Sequence, residues 1–414
     1  MGRRLLRPRI SLRGLLVLVA LVSLAFFGVA SVRQACEKEQ AARRILESEL
    51  GFEFNISSIL PDWVFDYVGP DRLTWFERAY EARLHVITSD DGTYHAGPWL
   101  GEKKESARQD FAEHFPRIGE FKYLTDVTLV GAPIDDRLLV VLRELHDLES
   151  LELSNLPING ESLAGLKSCR RLRKLYIHNC PLTSASLNHI AAVQGLEELL
   201  VSEIAVGAAL CGLDGSCLRE LELPSCHIDD SIATLLEHCP QLESLDLTDN
   251  NVTDRVIAAL ASARKLDYLG LSYTAVTCAN IDRLRDCPLR GLTLTGSETN
   301  DAGAASIGQL HSLEYIHIAV TKVTAAGLSH VVMLPTLERL DASYLDLEPV
   351  EVASIKFSDS IRDLRLDKTG VDDTCIDAFL RIRALQVLNL NDCPISDAGA
   401  VRLRAAVKAF NKPW

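Results

Sequence analysis

The chain has 414 residues, 24% charged and 47% hydrophobic, the composition of a folded protein with ample core. Its formal net charge is −14; residues 1–44 hold nine Lys and Arg against Glu37 and Glu39, so they carry +7 and the remainder carries −21. So acidic a body excludes nucleic acid as a partner, because phosphate binding needs clustered Lys and Arg.

Residues 1–13 form a basic tail containing Arg3, Arg4, Arg7, Arg9 and Arg13. Residues 14–32 then carry no charge at all. As a helix, nineteen residues at ~1.5 Å each cover roughly 28 Å, close to the thickness of a bilayer's hydrocarbon core. A single transmembrane helix acting as a signal anchor is expected there. The arginines ahead of it predict a cytoplasmic N-terminus and an exported remainder, periplasmic or extracellular. The alternative is secretion after signal-peptide cleavage near Gly28 and Ala30, but the run exceeds the ~7–15 apolar residues of such a segment.

Residues 33–51 read as a charged helical stalk that stops at Gly51. Residues 52–123 form a cap region, dense in aromatics at Phe52, Phe54, Trp63, Phe65, Tyr67, Trp75, Phe76 and Tyr80. Within it we expect a strand over 75–84, a polar loop over 88–104 and a short helix over 107–115. His85, His95 and His114 match no compact ligand spacing, so no metal is expected. Were the protein an enzyme, its site would have to come from His85, Asp90, Asp91 and His95 in this segment, the one non-repeating part of the body.

From residue 124 to 414 one unit of about 24 residues is written about twelve times. Its leading residue recurs at Leu124, Leu148, Leu172, Leu196, Leu218, Leu242, Leu266, Leu289, Leu313, Leu337, Ile361 and Leu385. The order within a unit is Leu-x-x-Leu-x-Leu-x-x-(Asn/Cys/Thr)-x-(Ile/Val/Leu), followed by a Thr/Ser/Asp-Asp turn and an apolar helical face. Alternation at the leucines predicts a strand, and the second half predicts a short helix. No unit can bury both of its faces alone, so neighbours must stack. The fold class is therefore α/β, a solenoid with a parallel sheet on the inside of a curve and helices outside.

This pattern resembles the leucine-rich repeat family, which implies a right-handed horseshoe with a concave parallel β-sheet and convex helices. Cys239-Pro-Gln-Leu242 and Cys287-Pro-Leu289 resemble the family's cysteine-containing, F-box-like branch. No F-box-like segment accompanies them. The basic start and apolar run resemble membrane-anchored leucine-rich repeat proteins of planctomycete bacteria.

Cys180, Cys226 and Cys393 share the position of Asn250, Thr274, Thr321 and Thr369, where a small polar side chain is expected to bond the turning backbone. Cys169, Cys239 and Cys287 end helices and read as buried small hydrophobes. Leu196 to Cys217 is two residues short and rich in glycine; a looser convex loop is expected there. Cys211, Cys217 and Cys239 form the one neighbourhood where a disulfide is considered.

Residues between the strand leucines point away from the helices, and two patches emerge. Glu152, Glu198, Glu220, Glu222, Asp246 and Asp249 make an acidic one, and Tyr176 is a further residue of the same face. Tyr268, Tyr273, Tyr315, His317 and Tyr344 make an aromatic one, and exposed aromatics are favoured interface anchors. The sequence contains no Gly-rich phosphate loop, metal-ligand cluster or Gly-x-Ser-x-Gly elbow, so no catalytic residue, metal or cofactor is assigned. The expected function is a membrane-anchored, non-enzymatic protein–protein interaction module that takes a protein or peptide on its concave face. A structural envelope protein that self-associates is the alternative.

Overall fold

A computed structural model of the chain describes residues 12–58, 77–85 and 104–411, with the backbone alone at residues 12–30, 57–58, 77–78, 80, 85, 104–107 and 184. Trp63, Phe65, Tyr67, Trp75, Phe76, Asp90, Asp91, His95, the side chain of His85 and the expected polar loop lie outside the described residues. Those described fall in two compact units, residues 1–128 with 144–148 and residues 129–143 with 149–414.

In the first unit one helix, Leu12–Leu50, runs through the segment read as a membrane span and stops at Gly51, whose φ is +65°. Among the described residues no helix is long and apolar enough to cross a membrane. The second half of this helix is not a free stalk. Cys36, Ala42, Leu46 and Leu50 are buried, and buried Glu39 accepts a hydrogen bond from the Ala79 backbone N–H at 2.8 Å. Residues 39, 42, 46 and 50 form one helical stripe, which Glu39 hides from a purely apolar reading. Ala79 lies on β2 (Glu77–His85), which pairs antiparallel with β1 (Glu53–Ser58). A second helix, Lys104–His114, leads into the turn Phe115–Glu120. Phe52 stacks on Phe54 at 5.7 Å and on Phe115 at 6.2 Å, and Phe54 stacks on Phe121 at 4.9 Å.

Each leucine-rich unit contributes one strand. These are β3 (Asp126–Val130), β4 (Ser150–Ser154), β5 (Lys174–His178), β6 (Glu198–Ser202), β7 (Glu220–Glu222) and β8 (Ser244–Asp246). The series continues with β9 (Tyr268–Gly270), β10 (Gly291–Thr293), β11 (Tyr315–His317), β12 (Arg339–Asp341), β13 (Asp363–Arg365) and β14 (Val387–Asn389). From β4 onward in the second unit they stand in chain order in a parallel sheet, with a short helix or 3-10 turn between successive strands. All twelve leading residues are buried, with only Leu385 as much as 9% exposed. A further strand, β15 (Ala409–Asn411), extends the sheet beyond the twelve expected units and sets Phe410 beside Leu388.

Each coil leaves its strand through one left-handed residue. Gly131, Asn155, Asn179, Glu203, Ser225, Asp249, Tyr273, Gly296, Val320, Tyr344, Lys368 and Asp392 all have φ between 46° and 70° and recur with the spacing of the leading leucines. Seven of the twelve are Gly, Asn, Asp or Ser, but Val320 is β-branched and pays for this conformation with strain.

In eight of the twelve coils the next residue is polar or a thiol and supplies a ladder; it is apolar at Ala132, Leu156, Ile204 and Leu345. Asn250 Nδ2 donates to the Leu223, Leu247 and Thr248 carbonyls, while its Oδ1 accepts from the N–H of Cys226 and Ile228 at 3.1 and 2.9 Å. Cys226 Sγ donates to the Val201 carbonyl at 3.0 Å, and Thr274 Oγ1 to Leu271 at 2.6 Å. Cysteine, threonine and asparagine are thus interchangeable here because each brings a small donor to a buried carbonyl.

A second ladder lies at the helix starts. Thr253, Asn300, Thr324 and Ser396 cap their own helices. Asp301 reaches forward to the next coil, accepting from Thr324 N, Thr324 Oγ1 and Gly327 N. Asp254 and Asp373 bond Thr277 and Ser396 in the same way. Gly327 must be glycine because a β-carbon there would strike Asp301 Oδ1.

The short fourth unit keeps its strand register, Glu198 beside Glu220. Two 3-10 turns, Ala209–Gly212 and Gly215–Cys217, replace its helix and absorb the missing residues. The disulfide considered there does not form: Cys211, Cys217 and Cys239 are free thiols, with Cys211 Sγ donating to the Ser231 carbonyl and Cys239 Sγ to that of Leu235.

Two substitutions test this account in chemical denaturation. Asn250→Ala strands two buried N–H groups, of Cys226 and Ile228, and the Leu223 and Leu247 carbonyls, and should lower stability by about 3 kcal/mol. Val320→Asn should raise it by about 1 kcal/mol by relieving the left-handed strain.

Candidate binding surface

The sheet face away from the helices carries the strand residues that alternate with the buried leucines. Register decides which of them meet. Glu152 stands beside Tyr176, Glu198 beside Glu220, and Glu222 beside Asp246. The predicted acidic patch therefore contracts to Glu198, Glu220, Glu222 and Asp246 on three consecutive strands. Glu152 lies two strands before it. Asp249 is not on a strand; it is a left-handed turn residue that accepts from Ser225 Oγ at 2.8 Å.

These four carboxylates differ in environment. Burial opposes ionisation of Glu198, but hydrogen bonds from Lys174 and Tyr176 outweigh it and hold the carboxyl below its usual range. Burial and then that same carboxylate push the Tyr176 hydroxyl up. Lys174 pairs with Glu198 and Arg219 with Glu243, which leaves Glu220 and Glu222 without a cation among the described residues. Burial first, and then Asp246, Glu220 and Glu198, raise the Glu222 carboxyl.

The aromatic patch divides in two. Tyr268, Gly291 and Tyr315 occupy one register position on β9, β10 and β11. The two rings stack at 6.4 Å across the gap that glycine leaves, and a β-carbon on Gly291 would strike the Tyr315 ring. Tyr268 Oη lies 3.2 Å from Thr293 Oγ1, and His317 meets Tyr315 edge-on at 6.5 Å. Tyr273 and Tyr344 were expected on the strand face; they are left-handed turn residues at the sheet's rim, 58% and 53% exposed. The Tyr273 ring covers Gly296, and Lys368 Nζ stands 5.1 Å from the centre of the Tyr344 ring.

Gly291 is the residue the sequence reading passed over. A glycine between two tyrosines in register was visible in the repeat alignment, and glycine inside a strand marks close approach. Asp246 presses similarly on Gly270. The result is a shallow trough with a glycine floor, tyrosine walls and carboxylates on the strands before it.

Burial pushes the thiols of Cys169, Cys180 and Cys226 up to about 11, and those of Cys239 and Cys278 up to about 12. Among the described residues no group of three or more His, Cys, Asp and Glu is placed to hold a metal ion.

Comparison with known proteins bears on the fold. A family model for the leucine-rich repeat matches residues 238–261 and 383–403. An internalin of Listeria monocytogenes is similar in structure, with 16% sequence identity and a TM-score of 0.54 over 80% of this chain and 86% of the internalin. A leucine-rich repeat protein of Leptospira interrogans shares 18% identity at a TM-score of 0.46, over 72% of this chain and 92% of its own. The plant peptide hormone receptor RGFR1, solved in complex with RGF2, shares 14% identity at a TM-score of 0.44, over 72% of this chain and 56% of the receptor. No curated protein matches the sequence. At the internalin's identity the likeness is one of fold, and the fold is a leucine-rich repeat solenoid.

The carboxylate cluster predicts a pH signature. A raised acid means that the folded state binds more protons than the unfolded one as the carboxyl titrates, so this group costs stability above that window and not below it. Glu222→Gln should therefore raise stability by about 0.5 kcal/mol at pH 7 at low salt. Thermal melts should show the gain vanish at pH 3.

Proposed function

We propose that this leucine-rich repeat chain is a non-enzymatic protein–protein interaction module that takes a protein or peptide on the open face of its sheet. The observation that carries the reading is the Tyr268–Gly291–Tyr315 trough. Tyrosine gives large rigid contact area at little entropic cost, and it dominates interface energetics elsewhere. The neighbouring Glu220, Glu222 and Asp246 favour a partner that is cationic where it crosses β7 and β8. Thiols buried in their protonated form support the non-enzymatic reading.

The uncharged run 14–32 supports a signal anchor that tethers the module and exports the repeats, with the N-terminus cytoplasmic. In this reading the module resembles the membrane-anchored, cysteine-containing repeat proteins to which its sequence is similar. Self-association as an envelope component is the other outcome that the tests must separate.

The full chain in detergent, used as bait in an extract of its own membranes and exported fraction, should retain a specific partner. Tyr268→Ala combined with Tyr315→Ala should weaken that partner's binding at least tenfold, as two lost anchors demand. Unchanged binding removes the trough from consideration, and capture of this chain alone favours self-association. For topology, protease added outside intact cells should digest the region after residue 45. Protection with a cytosolic tag signal would overturn export.

A further inference from the structure

The tenth coil, which starts at Leu337, carries a defect on the side of the sheet away from the trough. Three residues before each leading leucine the chain normally buries an apolar or small side chain, as at Val193, Cys239, Leu310, Leu334 and Ile382. Here the position is Ser358, which is only half-buried. Its N–H donates to the Val332 carbonyl at 2.8 Å and its Oγ lies 2.7 Å from Ser360 Oγ, so the coil's path is kept while the apolar filling is missing. Three residues earlier still, Ile307, Val331 and Phe379 are buried in their coils, but Ile355 is partly exposed.

The helix Pro349–Ser354 ends just before this point, Ile355 turns to an extended conformation, and residues 355–358 belong to neither helix nor strand. The outcome is a groove of about 870 Å³ spanning three coils, walled by Met333, Ile355, Phe357 and Leu380. Met333 is 61% exposed and Leu380 37%. Phe357 packs edge-on against Phe379 at 5.8 Å, which holds the floor in place.

The rim is basic, in a body whose charge is strongly negative. Lys356, Arg381 and Arg383 surround the opening. Asp359 pairs with Arg383 at 3.9 Å, and Lys356 and Arg381 have no ion-pair partner among the described residues. Apolar walls ringed by unmatched cations disfavour a basic partner and suit an apolar group delivered with negative charge.

We propose that this groove is a second docking site, distinct from the trough, for a partner segment that presents one side chain of leucine or phenylalanine size between carboxylates. The apolar side chain fills the volume that Ser358 leaves empty, and the carboxylates face Lys356 and Arg381. Three departures in this coil account for the site: polar Ser358 in a core column, partly exposed Ile355, and a helix that ends at Ser354.

The test is fluorescence anisotropy of the full chain in detergent with three labelled peptides: Glu-Glu-Leu-Phe-Glu-Glu, its charge-reversed form Lys-Lys-Leu-Phe-Lys-Lys, and Glu-Glu-Gly-Ser-Glu-Glu. The first should bind at least tenfold more tightly than either control. Ser358→Leu restores the filling residue of other coils, so it should raise the melting temperature and weaken the first peptide at least tenfold. Lys356→Glu with Arg381→Glu lies on the surface, keeps the fold and should weaken it as much, so the proposal remains testable should Ser358→Leu misfold. Tyr268→Ala with Tyr315→Ala should leave this binding unchanged. Equal affinity for the acidic and basic peptides, or binding indifferent to Ser358 and the two cations, would overturn the proposal. So would self-association in sedimentation that Ser358→Leu abolishes, since the occupant would then be a second copy.

Discussion

Every coil of the solenoid depends on closing its turn after the strand without leaving buried backbone groups unpaired. One left-handed residue reverses the chain. In eight of the twelve coils the residue after it is Asn, Thr, Ser or Cys, a small polar side chain at the carbonyls that the reversal exposes. Asn250 does this most completely, tying five backbone groups across two coils. Where threonine stands instead, one hydroxyl meets one carbonyl, and the thiols of Cys180 and Cys226 each lie within reach of two. The leucines fill the core, but this turn fixes how far apart successive strands and helices lie.

The same economy shapes the helix side. Asn300-Asp301 and Thr253-Asp254 look like simple caps in one coil, yet the aspartate serves the next coil. Stacking is therefore written into hydrogen bonds as well as into buried leucine. It also accounts for the tolerance of the fourth unit, which lost two residues from its helical half while its strand register was kept. The convex side absorbs irregularity. At the tenth coil it does so by leaving an apolar groove open.

Both candidate surfaces include departures in single columns. Gly291 withholds a side chain between two tyrosines and lets their rings approach, and Ser358 withholds one from the core. The carboxylates of β6 to β8 are held side by side by parallel register, at a cost in mutual repulsion that a hydrophobic pattern does not reveal. Glu198 escapes that repulsion through Lys174 and Tyr176, whereas Glu222 does not.

The period, the strand alternation and the helix caps were legible in the sequence because each is a local rule repeated about twelve times, and repetition averages out its exceptions. The ladder role of Cys180, Cys226 and Cys393 was legible for the same reason. Tyr273, Tyr344 and Asp249 were misplaced because a left-handed turn residue and a strand residue differ by one position, and side-chain type does not separate them. The helix at residues 33–50 was read as a stalk because its buried stripe includes Glu39, which only its bond to the Ala79 N–H explains. By itself the sequence determined the solenoid and the column that each residue occupies. Only the tertiary structure decided which columns touch, since register between coils and the volume left by a missing side chain are properties of stacked neighbours and not of any one unit.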